Sequence, residues 1–454
     1  MKNKIKTLAI GAAMTAAFGM TAHAQSADAL IDKLVDKGIL TVKEANDLRE
    51  EADKNFTTAF ATKTGMADWV KAMKFNGDLR ARYDGVFGRD PSFVDRNRLR
   101  YRLRFGFTAD MADNFEVALR LTSSEGSGGG DPISGNTTFA DNGSKKLVFL
   151  DLVYAKWSPI HTPDWTGVFT FGKMENPFVF PSTMMFDKDY TPEGLAAQFG
   201  YNINEKHALK FSAGAFVLDE TKESSSDPWL GGAQLRWDAK WNSKWSSTAG
   251  VAGFAIKSVE ELNNVNVPNG NLGNTRRGVE DSLLNGTSTA PQYGFVPIYA
   301  DAGVTYTFDE FPLYPGAFPL TVSGDFVHNT AAPKDNQGYS IGVTLGKAGK
   351  KGTWELAYRW ESLEADAWYE EFVESDFGAI YRLPLAPTKT PYGVNGTIYG
   401  PGTNVRGHWV KLSYSPYDSL TLGLSCFMTE LINPVAAGAD SSATRVLADA
   451  VWKF

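Results

Sequence analysis

The chain is poor in two residue types on which many small or metal-dependent proteins rely. It has a single cysteine, Cys426, among 454 residues, so no disulfide can form within the chain and a large folded unit must hold it together. Its five histidines show no metal-ligand spacing, and no nucleophile and base stand out as a pair. We therefore expect no catalytic residues, no metal and no cofactor, and we predict that the protein is not an enzyme.

Long hydrophobic runs and an excess of basic residues are also missing. After residue 24, no stretch approaches the ~20 apolar residues of a membrane-spanning helix, and the mean hydropathy is slightly negative at −0.26. Lysine and arginine total 45 against 52 acidic residues, a formal charge of −7. This balance gives no support for a nucleic-acid partner.

The N-terminal segment differs from the rest of the chain. Lys2, Lys4 and Lys6 precede an apolar stretch, and Ala22-His23-Ala24 has the small-residue pattern of a cleavage site. Residues 1–24 are therefore predicted to be a signal peptide for secretion through the inner membrane. Residues 25–60 show helical spacing of apolar residues and a capping box opened by Thr41. They predict a short periplasmic helical hairpin, which would act as an interaction element or as a spacer.

From Met73 onward, the hydrophobic period changes from helical spacing to two. The segment from Arg98 to Phe107 is the strongest case: its odd positions are apolar and four even positions are arginine, namely Leu99, Tyr101, Leu103, Phe105 and Phe107 against Arg98, Arg100, Arg102 and Arg104. A β-strand directs alternate side chains to opposite faces, so one face would be apolar and the other would carry four guanidinium groups. Because four neighbouring arginines are too costly for an apolar core, that face must meet water or anions.

Runs with the same alternation follow one another along the chain, and each has about the ten residues of a tilted membrane strand. We predict sixteen of them, at 73–84, 97–109, 114–123, 146–157, 166–174, 194–201, 207–217, 230–241, 245–257, 297–307, 319–328, 338–346, 353–361, 405–414, 419–429 and 444–454. Short connections alternate with long, polar ones. Residues 70–454 are therefore predicted to form an all-β fold, a transmembrane antiparallel β-barrel. A weak run at 367–374 leaves two alternatives: 362–404 is one external loop and the barrel has sixteen strands, or it hides a hairpin and the barrel has eighteen.

The C-terminal strand and several motifs resemble known sequences. The last strand ends with Trp452 and Phe454 on one face, which resembles the assembly signal of bacterial outer-membrane proteins. The segments Gly77-Asp78-Leu79-Arg80-Ala81-Arg82-Tyr83, Gly172-Lys173-Met174-Glu175-Asn176-Pro177-Phe178 and Ser375-Asp376-Phe377-Gly378 are similar to those of the "putative porin" family of Gram-negative bacteria. The resemblance implies a β-barrel channel, leaves the solute open and, by analogy, suggests a trimer.

The inner face of the first two strands would carry six arginines. Arg80 and Arg82 would adjoin Arg98, Arg100, Arg102 and Arg104, and we expect all six to line the pore. Either they attract anions and orient solutes, or they are solvated and paired with Asp78, Asp84 and loop carboxylates without any selectivity. The loops at 123–145 and 175–192 are both candidates to fold inward. We favour the second as the constriction loop, with Glu175, Asp187 and Asp189 opposite the arginines.

These expectations define three functional hypotheses. The first is a passive porin for small hydrophilic solutes with a basic wall, the second a substrate-selective channel for anions such as phosphate or organic acids, and the third an outer-membrane enzyme or adhesin. We expect the protein in the bacterial outer membrane, in contact with lipid and lipopolysaccharide. We also expect insertion by the barrel assembly machinery and a homo-oligomer.

Overall fold

The computed structural model describes most of the chain after residue 65. The described residues are Glu44, Ala45, Leu48, 66–125, 129–222, 224–262, 272–277, 290–382, 397–434 and 440–454. The predicted signal peptide lies outside them, as does the predicted hairpin apart from Glu44, Ala45 and Leu48, which are helical. Within the described part, no helix has the length and apolar character needed to cross a membrane.

The chain divides into two compact units, residues 1–73 with 109–113 and residues 74–108 with 114–454. In the first unit, the backbone N–H of Ala112 donates to the carbonyl oxygen of Trp69 at 2.7 Å. The second unit contains nearly all of the β-structure.

Sixteen long strands form the main sheet, and each pairs antiparallel with its neighbours. They are β1 (Val70–Gly88), β2 (Arg96–Met111), β3 (Phe115–Ser123), β5 (Val148–His161), β6 (Trp165–Lys173), β7 (Glu193–Asn204), β8 (His207–Val217), β9 (Trp229–Lys240), β10 (Trp245–Lys257), β11 (Pro297–Phe308), β12 (Phe318–Asn329), β13 (Gln337–Gly346), β14 (Trp354–Leu363), β17 (Val405–Tyr417), β18 (Leu420–Leu431) and β19 (Ala443–Lys453). The two-residue strand β4 (Thr137–Thr138) adds to β2, and 3₁₀ turns lie at Ala112–Asn114, Asp141–Gly143 and Val259–Glu261.

The sheet closes on itself, because β1 pairs with β2 on one side and with β19 on the other. At the junction, the N–H of Gly77 donates to the carbonyl oxygen of Phe454 at 2.9 Å, and the N–H of Phe454 donates to that of Gly77 at 3.1 Å. Closure leaves the main sheet, within the described residues, without an unpaired edge strand. The predicted sixteen-stranded barrel is therefore confirmed.

The eighteen-stranded alternative is wrong. Residues 362–404 do contain a hairpin, formed by β15 (Gly378–Arg382) and β16 (Thr397–Pro401), but these two strands make a separate sheet. In the barrel, β14 pairs directly with β17.

The alternation seen in the sequence separates an apolar outer face from a polar inner face. On β2, Leu99 is 55% exposed, whereas its neighbour Arg100 is 6% exposed. The outward face of the sheet is rich in exposed Leu, Val, Phe and Trp. Water-soluble proteins have the opposite arrangement, with apolar side chains inside and polar side chains outside.

An apolar cluster fills part of the barrel interior. Strands β8 to β12 contribute to it Phe216, Leu230, Phe254, Tyr299 and Val327. The connections β6–β7 and β14–β17 add Met184, Met185, Phe186, Trp368 and Phe372. Loop residues can share a core with inward strand residues only if both connections fold into the barrel, so part of the interior is packed like a soluble protein core.

Gly172 in β6 is at a position where a side chain would be strained. Its φ is +119°, and a Cβ atom would lie 2.3 Å from the carbonyl oxygen of Val153. We expect Gly172→Ala to lower the free energy of unfolding by roughly 1–3 kcal/mol. Urea unfolding in detergent micelles, followed by β-sheet circular dichroism, measures it. Gly253→Ala is the matched control, because nothing lies within 4 Å of its Cβ position. Equal midpoints for the two variants would contradict the expected strain.

Candidate functional site in the barrel interior

Five of the six predicted pore-lining arginines form ion pairs on the inner face of β1 and β2. Arg82 pairs with Asp449 of β19 (Nε–Oδ1 2.7 Å) and with Asp376 (Nη1–Oδ2 2.9 Å). Asp78 accepts from Arg102 Nη2 at 2.9 Å and from Arg104 Nε at 2.7 Å. The sequence left open whether these arginines attract anions or pair with carboxylates of the protein, and the contacts are those of the second alternative.

Asp84 organises the other end of the arginine cluster. Its side chain is fully buried and lies 2.8 Å from Arg98 Nη2, 3.4 Å from Arg100 Nη1 and 2.9 Å from Arg445 Nη2. Arg445 was missed in the sequence, as was Asp449, because β19 is more than 300 residues away from β1. The alternation of β19 places both on the inner face, so the signal was present.

The connection β3–β5, residues 124–147, also reaches the arginines. Glu125 lies 3.2 Å from Arg100, and the Oδ1 of Asn136 accepts from Arg80 Nη2 at 2.6 Å. This connection, which includes β4, therefore holds part of the arginine cluster in place.

The three acidic residues predicted for the constriction loop have different contacts. Asp189 lies 2.8 Å from Arg102 and 3.5 Å from Arg104, and Glu175 is bound to Arg120 of β3. Asp187 has another role, because its carboxylate accepts the backbone N–H groups of Asp189 and Ser375, each at 2.7 Å. Only two of the three acids thus meet arginines.

Burial and charge act in opposite directions on these loop carboxylates. Burial disfavours ionisation of Asp189, but the charges of Arg102 and its neighbours outweigh burial and lower the pKa of Asp189. For Asp187, burial and the nearby charge of Glu374 raise the pKa. Asp189 is therefore held charged beside Arg102.

The connection β6–β7, residues 174–192, crosses the barrel interior. Val179 exchanges hydrogen bonds with the Gln234 side chain of β9 at 2.9 and 2.8 Å, and the carbonyl oxygen of Pro181 accepts from Arg359 of β14 at 3.0 Å. Together with the contact between Asp189 and β2, these bonds join strands on separate parts of the circumference. A loop can reach all of them only by passing through the barrel.

The connection β14–β17 folds inward as well, over residues 364–377. We predicted residues 362–404 as one external loop, and we did not predict that part of this connection lies inside the barrel. The indole N–H of Trp368 donates to the carbonyl oxygen of Met185 at 2.7 Å, and the N–H of Asp187 donates to that of Phe372 at 2.7 Å. Asp376 then reaches Arg82 and Arg445. The apolar run in this segment, taken as a weak strand, is the part that packs inside.

A cavity of about 510 Å³ remains between the wall and the two loops. Inward residues of β14, β17, β18, β19, β1, β2 and β3 form one side, and residues 175–189 and 374–377 form the other. Its charged lining residues are almost balanced: the cations are Arg80, Arg82, Arg102, Arg104, Arg120, Lys188, Arg359 and Lys411, and the acids are Glu175, Asp187, Asp189, Glu361, Glu374, Asp376 and Asp449. The open space thus lies to one side of the barrel, because the apolar cluster occupies the other.

A closed barrel with an apolar outer face and a charged interior narrowed by loops is the architecture of outer-membrane porins. Among solved structures, the chain is similar to OprB of Pseudomonas putida, with a TM-score of 0.51, 12% identity, and coverage of 87% of this chain and 96% of that chain. OmpF of Salmonella typhi, in complex with daunomycin, has a TM-score of 0.46, 8% identity, and coverage of 84% and 97%.

The sequence comparison agrees with the fold. The profile of the family described as "Putative porin" matches residues 89–281, which confirms the resemblance predicted from the motifs. No curated protein sequence matches the chain. Family match and fold together indicate a porin-type β-barrel channel and an outer-membrane location.

Proposed function

We propose that the protein is a passive diffusion channel for small hydrophilic solutes. The observation that carries this proposal is the polar cavity enclosed between the charged wall and two inward loops, inside a closed barrel with an apolar outer face. The guanidinium groups that line this space belong to the wall strands, and most of the carboxylates belong to the two loops. Such an arrangement favours small, polar or dipolar molecules over apolar ones.

The narrowing comes from two loops acting together. Phe186 of the first loop packs against Trp368 and Phe372 of the second, with ring centroids 5.6 and 5.4 Å apart. Because these rings pack against one another, each loop stabilises the position of the other inside the barrel. We propose that they form the constriction as a unit, with Glu175, Asp187 and Asp189 on the first loop and Asp376 on the second.

We also propose the following for the molecular context. The apolar outer face contacts outer-membrane lipid and lipopolysaccharide, the terminal Trp452 and Phe454 serve as the assembly signal for the barrel assembly machinery, and the channel is a homo-oligomer. Secretion through the inner membrane uses the proposed signal peptide at residues 1–24. The third hypothesis from the sequence, an outer-membrane enzyme or adhesin, is not part of this proposal.

Planar bilayer recordings with the refolded protein test the proposed channel. We expect stepwise conductance increases in potassium chloride, and liposomes loaded with sugars of increasing size should release only the smaller ones. Heat-denatured protein at the same concentration is the control. Absence of steps from protein that shows the circular dichroism of a folded barrel would refute the channel function.

A further inference from the structure

Arg80 differs from the other arginines of the inner wall. Its Nη2 donates to Asn136, a neutral side chain, and within the described residues no carboxylate lies at ion-pair distance from it. Its Nε is buried without any hydrogen-bond partner. Arg80 also lines the cavity, so its guanidinium group is accessible from the solute path.

A count of the charges around Arg80 also indicates one guanidinium group without a carboxylate partner. The wall cluster contains seven guanidinium groups, those of Arg80, Arg82, Arg98, Arg100, Arg102, Arg104 and Arg445. Six carboxylates bind the cluster, those of Asp78, Asp84, Glu125, Asp189, Asp376 and Asp449. One positive charge is left over, and it lies at the arginine without a carboxylate. Because a half-buried guanidinium without a counter-ion is costly, the site favours an anion from solution.

The neighbours of Arg80 hold its guanidinium group in place. The Nδ2 of Asn136 donates to the Oγ of Ser134 at 3.0 Å, which fixes the amide oxygen toward Arg80. Asp189 and Asp449 attract Arg80 electrostatically, but each already binds another arginine. The remaining Nη protons therefore form a positioned donor group that is directed at no acceptor among the described residues.

We infer that Arg80 is a binding station for small monocarboxylates that pass through the channel. A planar guanidinium edge matches the two oxygens of a carboxylate, and chloride can accept only at a single point. The single surplus charge matches a monoanion, since a dianion would leave one of its own charges without a partner. This inference rests on the proposed channel function and names a solute class that binds in the cavity beside Arg80.

Acetate currents through single channels test the inference. We expect the wild-type conductance to saturate with acetate concentration, and the acetate-over-potassium permeability from reversal potentials to fall roughly tenfold in Arg80→Gln. Arg80→Lys keeps the charge but loses the planar edge, so it should retain chloride permeability and lose acetate saturation. Arg406→Gln is the control, because Arg406 lies exposed on β17 and pairs with Glu430 at 2.7 Å.

The possible outcomes test the binding site at Arg80 separately from the channel function. If wild-type protein forms no channels, the proposed function itself fails. If channels form but Arg80→Gln has wild-type acetate saturation and selectivity, the station is refuted. If Arg80→Gln fails to fold, a second measurement decides the same question. We expect acetate to block the chloride current of the wild type and to lose this effect in Asn136→Ala. A wild-type chloride current that acetate does not block would overturn the inference.

Discussion

Replacing Trp368 with alanine is expected to raise the single-channel conductance several-fold and to add frequent open-channel fluctuations. The Trp368 side chain is fully buried among Phe186, Phe254 and Phe372, with ring centroids 5.6 to 5.7 Å away. Removing a buried tryptophan from such a cluster costs about 3–5 kcal/mol. That loss shifts the equilibrium between packed and detached loops by more than roughly a hundredfold, which opens the lumen on the side now filled.

Bilayer recordings of Trp368→Ala measure this effect, and two variants control it. Trp368→Phe keeps an aromatic ring but loses the hydrogen bond to Met185, so its conductance should lie between those of the wild type and the alanine variant. Trp241→Ala removes the same side chain from a half-exposed position and should leave conductance unchanged. If Trp368→Ala conducts like the wild type, the two loops do not form the constriction.

Asp376→Asn is expected to increase the anion-over-cation permeability roughly threefold to tenfold. Asp376 is the carboxylate shared by Arg82 and Arg445, at 2.9 and 3.0 Å. The amide keeps the size of the side chain but removes one negative charge, so two guanidinium groups lose a partner at the cavity. The same change should weaken attachment of the second loop to the wall.

Reversal potentials across a potassium chloride gradient measure the change in selectivity. Asp309→Asn is the matched control, because Asp309 is an exposed acid that pairs with Lys244 at 2.6 Å outside the cavity. Burial opposes ionisation of Asp376, but the two arginines lower its pKa overall. Its contribution to stability is thus present above the ordinary carboxyl pKa of about 4 and is lost below it, so acid should mimic the variant only under strongly acidic conditions. Unchanged selectivity in Asp376→Asn would show that Arg82 does not face the ion path.

Short-range patterns were sufficient to predict the strands. The alternation around Arg98 to Phe107 assigns an outward and an inward face without knowledge of any partner strand, and the same holds for β19 and its Arg445. The position of the arginines on the inner face follows from the alternation as well. Their pairing does not, because Asp376 and Asp449 lie 294 and 367 residues away from Arg82 in the sequence.

The sequence by itself predicted a closed barrel and most of its strands, because a period of two and a connection length are local properties of the chain, but it left sixteen or eighteen strands open. Only the tertiary structure decided that two connections fold inward, that Trp368 and Phe186 share a core inside the barrel, and that, within the described residues, Arg80 alone among the six predicted arginines lacks a carboxylate partner. The physical reason is that ion pairs and aromatic packing depend on distances between remote segments, and those distances exist only once the barrel has closed.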